Sequence, residues 1–422
     1  MPARLRGLPS VSDKRTETTL AAPTERNREI RRMKKNTEKY KKTHTQEPDD
    51  DRLNWRYQDK QYNESFKKWR REKQNSVGFY FVAKPDRLTY QDGLGFINDY
   101  PEAREAKAFR KVLAVLGLIL IYHVTVDVFF TYLLPFIMEK MGMNIYYSIF
   151  SGQRYGSSTI IMLLDILSQV LGRVVPAAVL VKHLEIPLSV ILPTSITNKS
   201  MFRFAAPAAL LVASVCSLMS YFYDRVLSVF KIDTESSYAV SGSAEEIMYA
   251  VIIHLLIIPV ISELCTHGVV LQLVRQFGDG TALFFASLII AASTYDIVQM
   301  PFAAVTSFVA GYFIIRTGSV ITGIIMRIVT RAYIYALCCI RYYTEPLYGT
   351  TVMTAFIFLT LTVGLVSVIW FLYNRSDRFT MTIRPSYMSF SSKILEAATS
   401  IPIVIWIAMT FLVTAVNIKF TS

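Results

Sequence analysis

Long uninterrupted apolar runs constrain this chain more than any other feature. A run of about 20 apolar residues matches the hydrocarbon thickness of a bilayer. Inside lipid each backbone N–H and C=O must be satisfied within the protein, which leaves helices or closed barrels. The runs extend from about Val112 to Ile137, Thr159 to Val181, Phe204 to Phe222 and Tyr249 to Val274. Two shorter ones follow, about Ala282–Thr294 and Phe302–Ile315. Three long ones close the series: Val320–Cys339, Val352–Tyr373 and Ala397–Ile418. None alternates with period two as a barrel strand does. The expected fold is all-α: a polytopic membrane protein of about eight or nine transmembrane helices with a basic cytoplasmic N-terminal region. Charged residues make up 18% of the chain against about 25% in soluble domains, which excludes an ordinary cytosolic globule.

Charge divides the chain. Residues 1–111 carry 27 basic and 17 acidic side chains, so they hold +10 of the total +13. We expect residues 1–76 to be a disordered basic tail with a surface helix, 77–111 a juxtamembrane segment and 112–422 a helical bundle. The run from Arg26 to Lys35, continued by Lys39, Lys41 and Lys42, is too charged to build a core. It has no apolar signal-peptide region. It suits anionic lipid headgroups and the topology-setting role of cytoplasmic basic residues. No nucleic-acid-binding fold follows it, so nucleic acid is not an expected partner. Between Leu53 and Lys73, Trp55, Tyr57, Tyr62, Phe66 and Trp69 interleave with charge, as in a helix that lies on a membrane or docks on the body. Loops expected inside carry Lys182, Lys199, Arg203, Arg275, Arg316, Arg375, Arg378, Arg384 and Lys393. Those expected outside carry Asp233, Glu235, Glu245, Glu246 and Glu345. A cytoplasmic N-terminus is expected from this asymmetry, and a cell (plasma) membrane is the expected location. Cys216, Cys265, Cys338 and Cys339 all lie in apolar runs without metal-type spacing.

Ionisable residues at membrane depth cost about 2.5–3.5 kcal/mol each to insert, so they mark structure-holding pairs or functional sites. Here they are Asp127, Asp165, Arg173, Glu263, Arg327 and Arg331, joined by His123, His254, His267 and Asp296. Glu263 and His267 are spaced i, i+4 and share a helix face, as do Arg327 and Arg331. The pairs fall near the middle of their runs. An arginine set across a helix contact from Glu263 would neutralise it. Glu263 and His267 have zinc-type spacing, but two arginines nearby oppose a cation, and no metal or cofactor is expected.

A resemblance covers the segment from Pro259 to about Tyr335. It reads Pro259-Val-Ile-Ser-Glu-Leu-Cys-Thr-His-Gly268, then Ile290-Ala-Ala-Ser-Thr294, then Gly311, Arg316-Thr-Gly-Ser319 and Arg327-Ile-Val-Thr-Arg331. This resembles the CPBP, or Abi, family, whose members include CAAX prenyl endopeptidases and bacteriocin-processing or immunity proteins. The family-like core is about 248–341. The resemblance implies a helical bundle with a lipid-facing cavity, and glutamates and histidines that activate water for peptide cleavage. The family's Glu-Glu-x-x-x-Arg is here Ser262-Glu263-x-x-x-His267. Its Phe-x-x-x-His is Ile290-x-x-x-Thr294, and its His-x-x-x-Asn is Arg327-x-x-x-Arg331.

These replacements remove chemistry. A general base must take a proton from water, which neither Ser262 nor Thr294 does at neutral pH. Arginine stays protonated, so Arg327 and Arg331 are neither bases nor metal ligands. The expected function is a catalytically degenerate membrane factor that binds lipids and a hydrophobic or prenylated peptide, or another membrane protein. An active endopeptidase would have to run on Glu263 and His267. A solute transporter would call for inverted repeats, and none is visible.

Overall fold

The computed structural model describes residues 57–81, 89–91, 95–97, 101–148, 153–232, 247–249, 251–374 and 386–418. The basic run from Arg26 to Lys42, Trp55, most of the stretch between Val82 and Tyr100, and the loop residues Asp233, Glu235, Glu245, Glu246, Arg375, Arg378 and Arg384 lie outside them.

The helices are α1 (Lys60–Arg71), α2 (Pro101–Lys140), α3 (Ser158–His183), α4 (Leu188–Ile191), α5 (Lys199–Val229) and α6 (Ile247–Phe277). They continue as α7 (Asp279–Ala292), α8 (Met300–Thr317), α9 (Val320–Tyr343), α10 (Pro346–Asn374), α11 (Phe390–Thr399) and α12 (Ile401–Val416). Among the described residues seven are long and apolar enough to cross a membrane, or eight if the bent pair α11–α12 counts as one span. The expected all-α polytopic class holds. The run near Ala282 is not a full span: α7 has 14 residues, which reach only about 21 Å at 1.5 Å each. Two small hairpins stand outside the spans, Thr89–Gln91 with Gly95–Ile97 and Ile145–Ser148 with Gln153–Gly156. The second links α2 to α3 and stacks Tyr146 on Tyr155.

Local chemistry explains the breaks. Pro402 in the first turn of α12 has no N–H with which to continue α11, and the two helices meet at 76°. Gly318 ends α8 in the left-handed conformation at φ +79°, and its N–H returns to the Ile314 carbonyl. Ser319 and Val320 then bond to Thr194 and Pro193, tying the α8–α9 turn to the segment before α5. Three long helices contain π-helical turns: Phe129–Leu133 in α2, Val170–Val174 in α3, and Val251–Ile257 and Leu264–Val270 in α6. Such turns are frequent at functional sites. Those in α3 and α6 carry Arg173 and His267.

Two large cores hold the bundle, and a small third one joins Phe130, Ile145 and Leu164. One joins α1, α2, α6, α7 and α12 through residues such as Phe66, Phe109, Leu116, Phe277 and Trp406. The other joins α5, α8, α9 and α10 around Met201, Phe204, Phe313, Met326 and Phe371. Helix α1 docks on the body. Its Tyr62, Phe66 and Trp69 are buried. Tyr62 Oη donates to Gln272 Oε1 at 2.6 Å, and Trp69 Nε1 donates to the Leu184 carbonyl at 2.8 Å.

Candidate functional site

The centre of the site lies between α6, α8 and α9. Glu263 ends a regular helical stretch of α6, and His267 follows it by four residues inside a π turn. Their spacing puts both on one face. His267 Nδ1 lies 2.5 Å from Glu263 Oε2, and Arg327 Nε donates to Glu263 Oε1 at 2.7 Å. Glu263 and His267 are fully buried, and Arg327 is 5% exposed. Both carboxylate oxygens are therefore engaged by cationic or N–H groups.

Two glycines let the helices close this tightly. A Cβ at Gly323 on α9 would stand 3.0 Å from Glu263 Oε2 and run into Ile314. A Cβ at Gly311 on α8 would stand 3.0 Å from His267 Nε2 and 2.7 Å from Leu283. Because Nδ1 faces a carboxylate, it carries the proton, and in the neutral ring Nε2 is the acceptor. The Ser307 hydroxyl stands 3.4 Å from Nε2 as its donor. Arg327 Nη2 is buried with no hydrogen-bond partner.

The other motif positions point elsewhere. The Ser262 hydroxyl donates back to the Pro259 carbonyl of its own helix at 3.0 Å. The Thr294 hydroxyl donates to the Ala291 carbonyl at 2.7 Å and so caps the end of α7. Arg331, one turn beyond Arg327, comes within electrostatic reach of Arg173 on α3. Glu263, His267 and Arg327 are thus the three of the six candidates that meet directly.

A second polar cluster joins α2, α3 and the segment after α7. Asp127 accepts from the Ser168 hydroxyl at 2.5 Å and the Tyr295 hydroxyl at 3.1 Å. His123 Nε2 lies 3.3 Å from Asp127 Oδ2 and accepts from Arg173 Nε at 3.2 Å. The i, i+4 spacing of His123 and Asp127 is visible in the sequence. Ser168 and Tyr295 carry no sequence signal of their own. Asp165 pairs instead with Arg154 of the hairpin at 2.5 Å.

Residues 244–333 match the family described as type II CAAX prenyl endopeptidase Rce1-like. The chain carries an Rce1-like domain. This domain includes all of α6, α7 and α8, and α9 as far as Tyr333, and so contains every motif position named above. No curated protein and no solved structure matches the chain. The Rce1-like domain here does not fit a metal ion at Glu263. Both carboxylate oxygens and Nδ1 are spent on one another and on Arg327, and a guanidinium does not ligate a cation. Among the described residues no group of three His, Cys, Asp or Glu side chains converges as a metal site.

Proposed function

We propose that the Rce1-like domain is catalytically degenerate and binds a hydrophobic membrane partner without cutting it. One observation carries this reading: Glu263, the remaining acid of the first motif, is locked between His267 and Arg327 with no exposed surface. A general base needs a lone pair within reach of its water. The partner class is a prenylated or otherwise apolar peptide, or another membrane protein. The basic N-terminal region sits on the cytoplasmic side of the cell membrane against anionic headgroups.

The test is a cleavage assay. Purified protein in lipid meets isoprenylated CAAX peptides and leader peptides, with and without chelator, beside a Glu263→Ala variant. No product from either protein, with a lower melting temperature for the variant, is the expected result. Cleavage that disappears in Glu263→Ala would sink the degenerate reading. It would favour an endopeptidase built on the Glu263–His267 contact, which has the base-and-orienter arrangement of hydrolytic sites.

A further inference from the structure

Two cavities adjoin, one between α2, α7, α11 and α12 and the other between α2, α3, α6 and α7, and Leu116, Leu120 and Ile289 line both. The first is a groove of about 150 Å³ with apolar side chains throughout, Leu113, Phe285, Ile403 and Trp406 among them. Leu288, Ile394 and Ile407 on its walls are exposed on the outer face of the bundle. The second cavity is about 50 Å³, and His123, Arg173, Cys265, Thr266 and Ser293 stand among its largely apolar lining residues.

The polar residues of the second cavity present donors. Among the described residues Arg173 forms no ion pair; its Nε donates to His123 Nε2. That bond makes Nε2 an acceptor, so in the neutral ring the proton sits on Nδ1. Nδ1 is buried without a hydrogen-bond partner, in a residue 4% exposed. Asp127 Oδ2 lies 3.3 Å from Nε2, and the same carboxylate accepts from Ser168 and Tyr295. Arg331 adds positive potential from α9. The Ser293 hydroxyl donates to the Ile289 carbonyl of its own helix. A cation and a free N–H at membrane depth, with no opposing anion paired to that cation, call for an anionic acceptor.

We propose that the two cavities form one binding site for a single-chain amphiphile with a carboxylate head, the fatty-acid class. The chain lies in the Trp406 groove and the carboxylate meets Arg173 and His123 Nδ1. The head cavity is the smaller of the two, about 50 Å³ against 150 Å³, so the proposal takes a small carboxylate head. The site is separate from the Glu263 cluster and does not depend on whether that cluster cleaves anything.

Trp406 supplies the probe. In a Trp370→Phe protein, which removes the 68% exposed indole of α10 and leaves Trp55 and Trp69 as background, the part of the fluorescence lost in a further Trp406→Phe variant should be quenched saturably by dibromostearic acid in detergent micelles. Its methyl ester should bind at least tenfold more weakly. Arg173→Gln should bring the acid to the level of the ester, and Arg173→Lys should keep much of the preference. Ala398→Leu, which fills the groove, should weaken both. Quenching that never saturates overturns the proposal, as does equal affinity for acid and ester. A preference that survives Arg173→Gln does so too. Should Arg173→Gln fail to fold, the acid–ester comparison in the Trp370→Phe protein decides alone.

Discussion

Glu263 and Arg327, 64 positions apart in the chain, meet through a 2.7 Å hydrogen bond that crosses from α6 to α9 in the buried interior. Removing one member of such a pair leaves a buried charge without compensation, at a cost of about 3–5 kcal/mol. Glu263→Gln and Arg327→Met should each lower the melting temperature in detergent by many degrees. The double variant, which leaves neither charge, should recover a large part of the loss. If Glu263→Gln leaves expression and melting unchanged, the pair does not hold α6 to α9.

Gly311 should resist even a methyl group. Its Cβ would meet Leu283 at 2.7 Å and His267 Nε2 at 3.0 Å, both in a packed interior. Overpacking of this kind costs about 1–3 kcal/mol. Gly311→Val should destabilise more than Gly311→Ala, and thermal melting of the two side by side checks the order. Equal melting of both with the wild type would mean that α8 and α6 do not close as described.

Two ion pairs link α2 to α11, and they should differ sharply in strength. Lys393 is 2% exposed and lies 3.0 Å from Glu105, whose oxygens also accept from Ser386 Oγ and from the N–H groups of Tyr387 and Met388. Arg110 binds Glu396 with two contacts of 2.5 and 2.6 Å, but its side chain is 65% exposed. Glu105→Ala should cost about 3–5 kcal/mol because it strands a buried ammonium. Arg110→Ala should cost no more than about 1 kcal/mol. Denaturation of the two variants in the same detergent reads the difference, and a reversed order would contradict the burial argument.

Helix α1 should be released by a single substitution. Trp69 is 2% exposed, stacks on Phe66 at 5.7 Å and bonds to the Leu184 carbonyl. Trp69→Ala should cost about 3–5 kcal/mol of docking. Trypsin should then cleave at Arg70 and Arg71 much faster than in the wild type, while the bundle stays intact on a gel. Unchanged cleavage would show that α1 is held by other contacts.

Much of this protein follows from local rules that can be read in the sequence. An apolar run of twenty residues has one way to satisfy its backbone in lipid, so the helices and their order were determined there. The i, i+4 spacing put Glu263 beside His267 and His123 beside Asp127 before any packing was known. The frame of the Rce1-like segment was equally legible, because Gly268, Gly311 and the Arg316–Ser319 turn stand at fixed offsets from the motif positions.

The tertiary structure decided which side chains meet across helices. Helix rotation and tilt chose Arg327 over Arg331 as the partner of Glu263, and they brought Arg331 toward Arg173. Ser262 turned back to its own helix and Thr294 capped α7. The π turns in α3 and α6 shift the side chains beyond them relative to a regular helix, so a 3.6-residue wheel does not give what Arg173 and His267 face on neighbouring helices. The shortness of α7 was legible in its apolar run, whereas the equally short run at Phe302–Ile315 became the longer α8, Met300–Thr317. Periodicity fixes which residues share a face of one helix. Only the packing of several helices fixes what that face touches, and the chemistry here resides in those contacts.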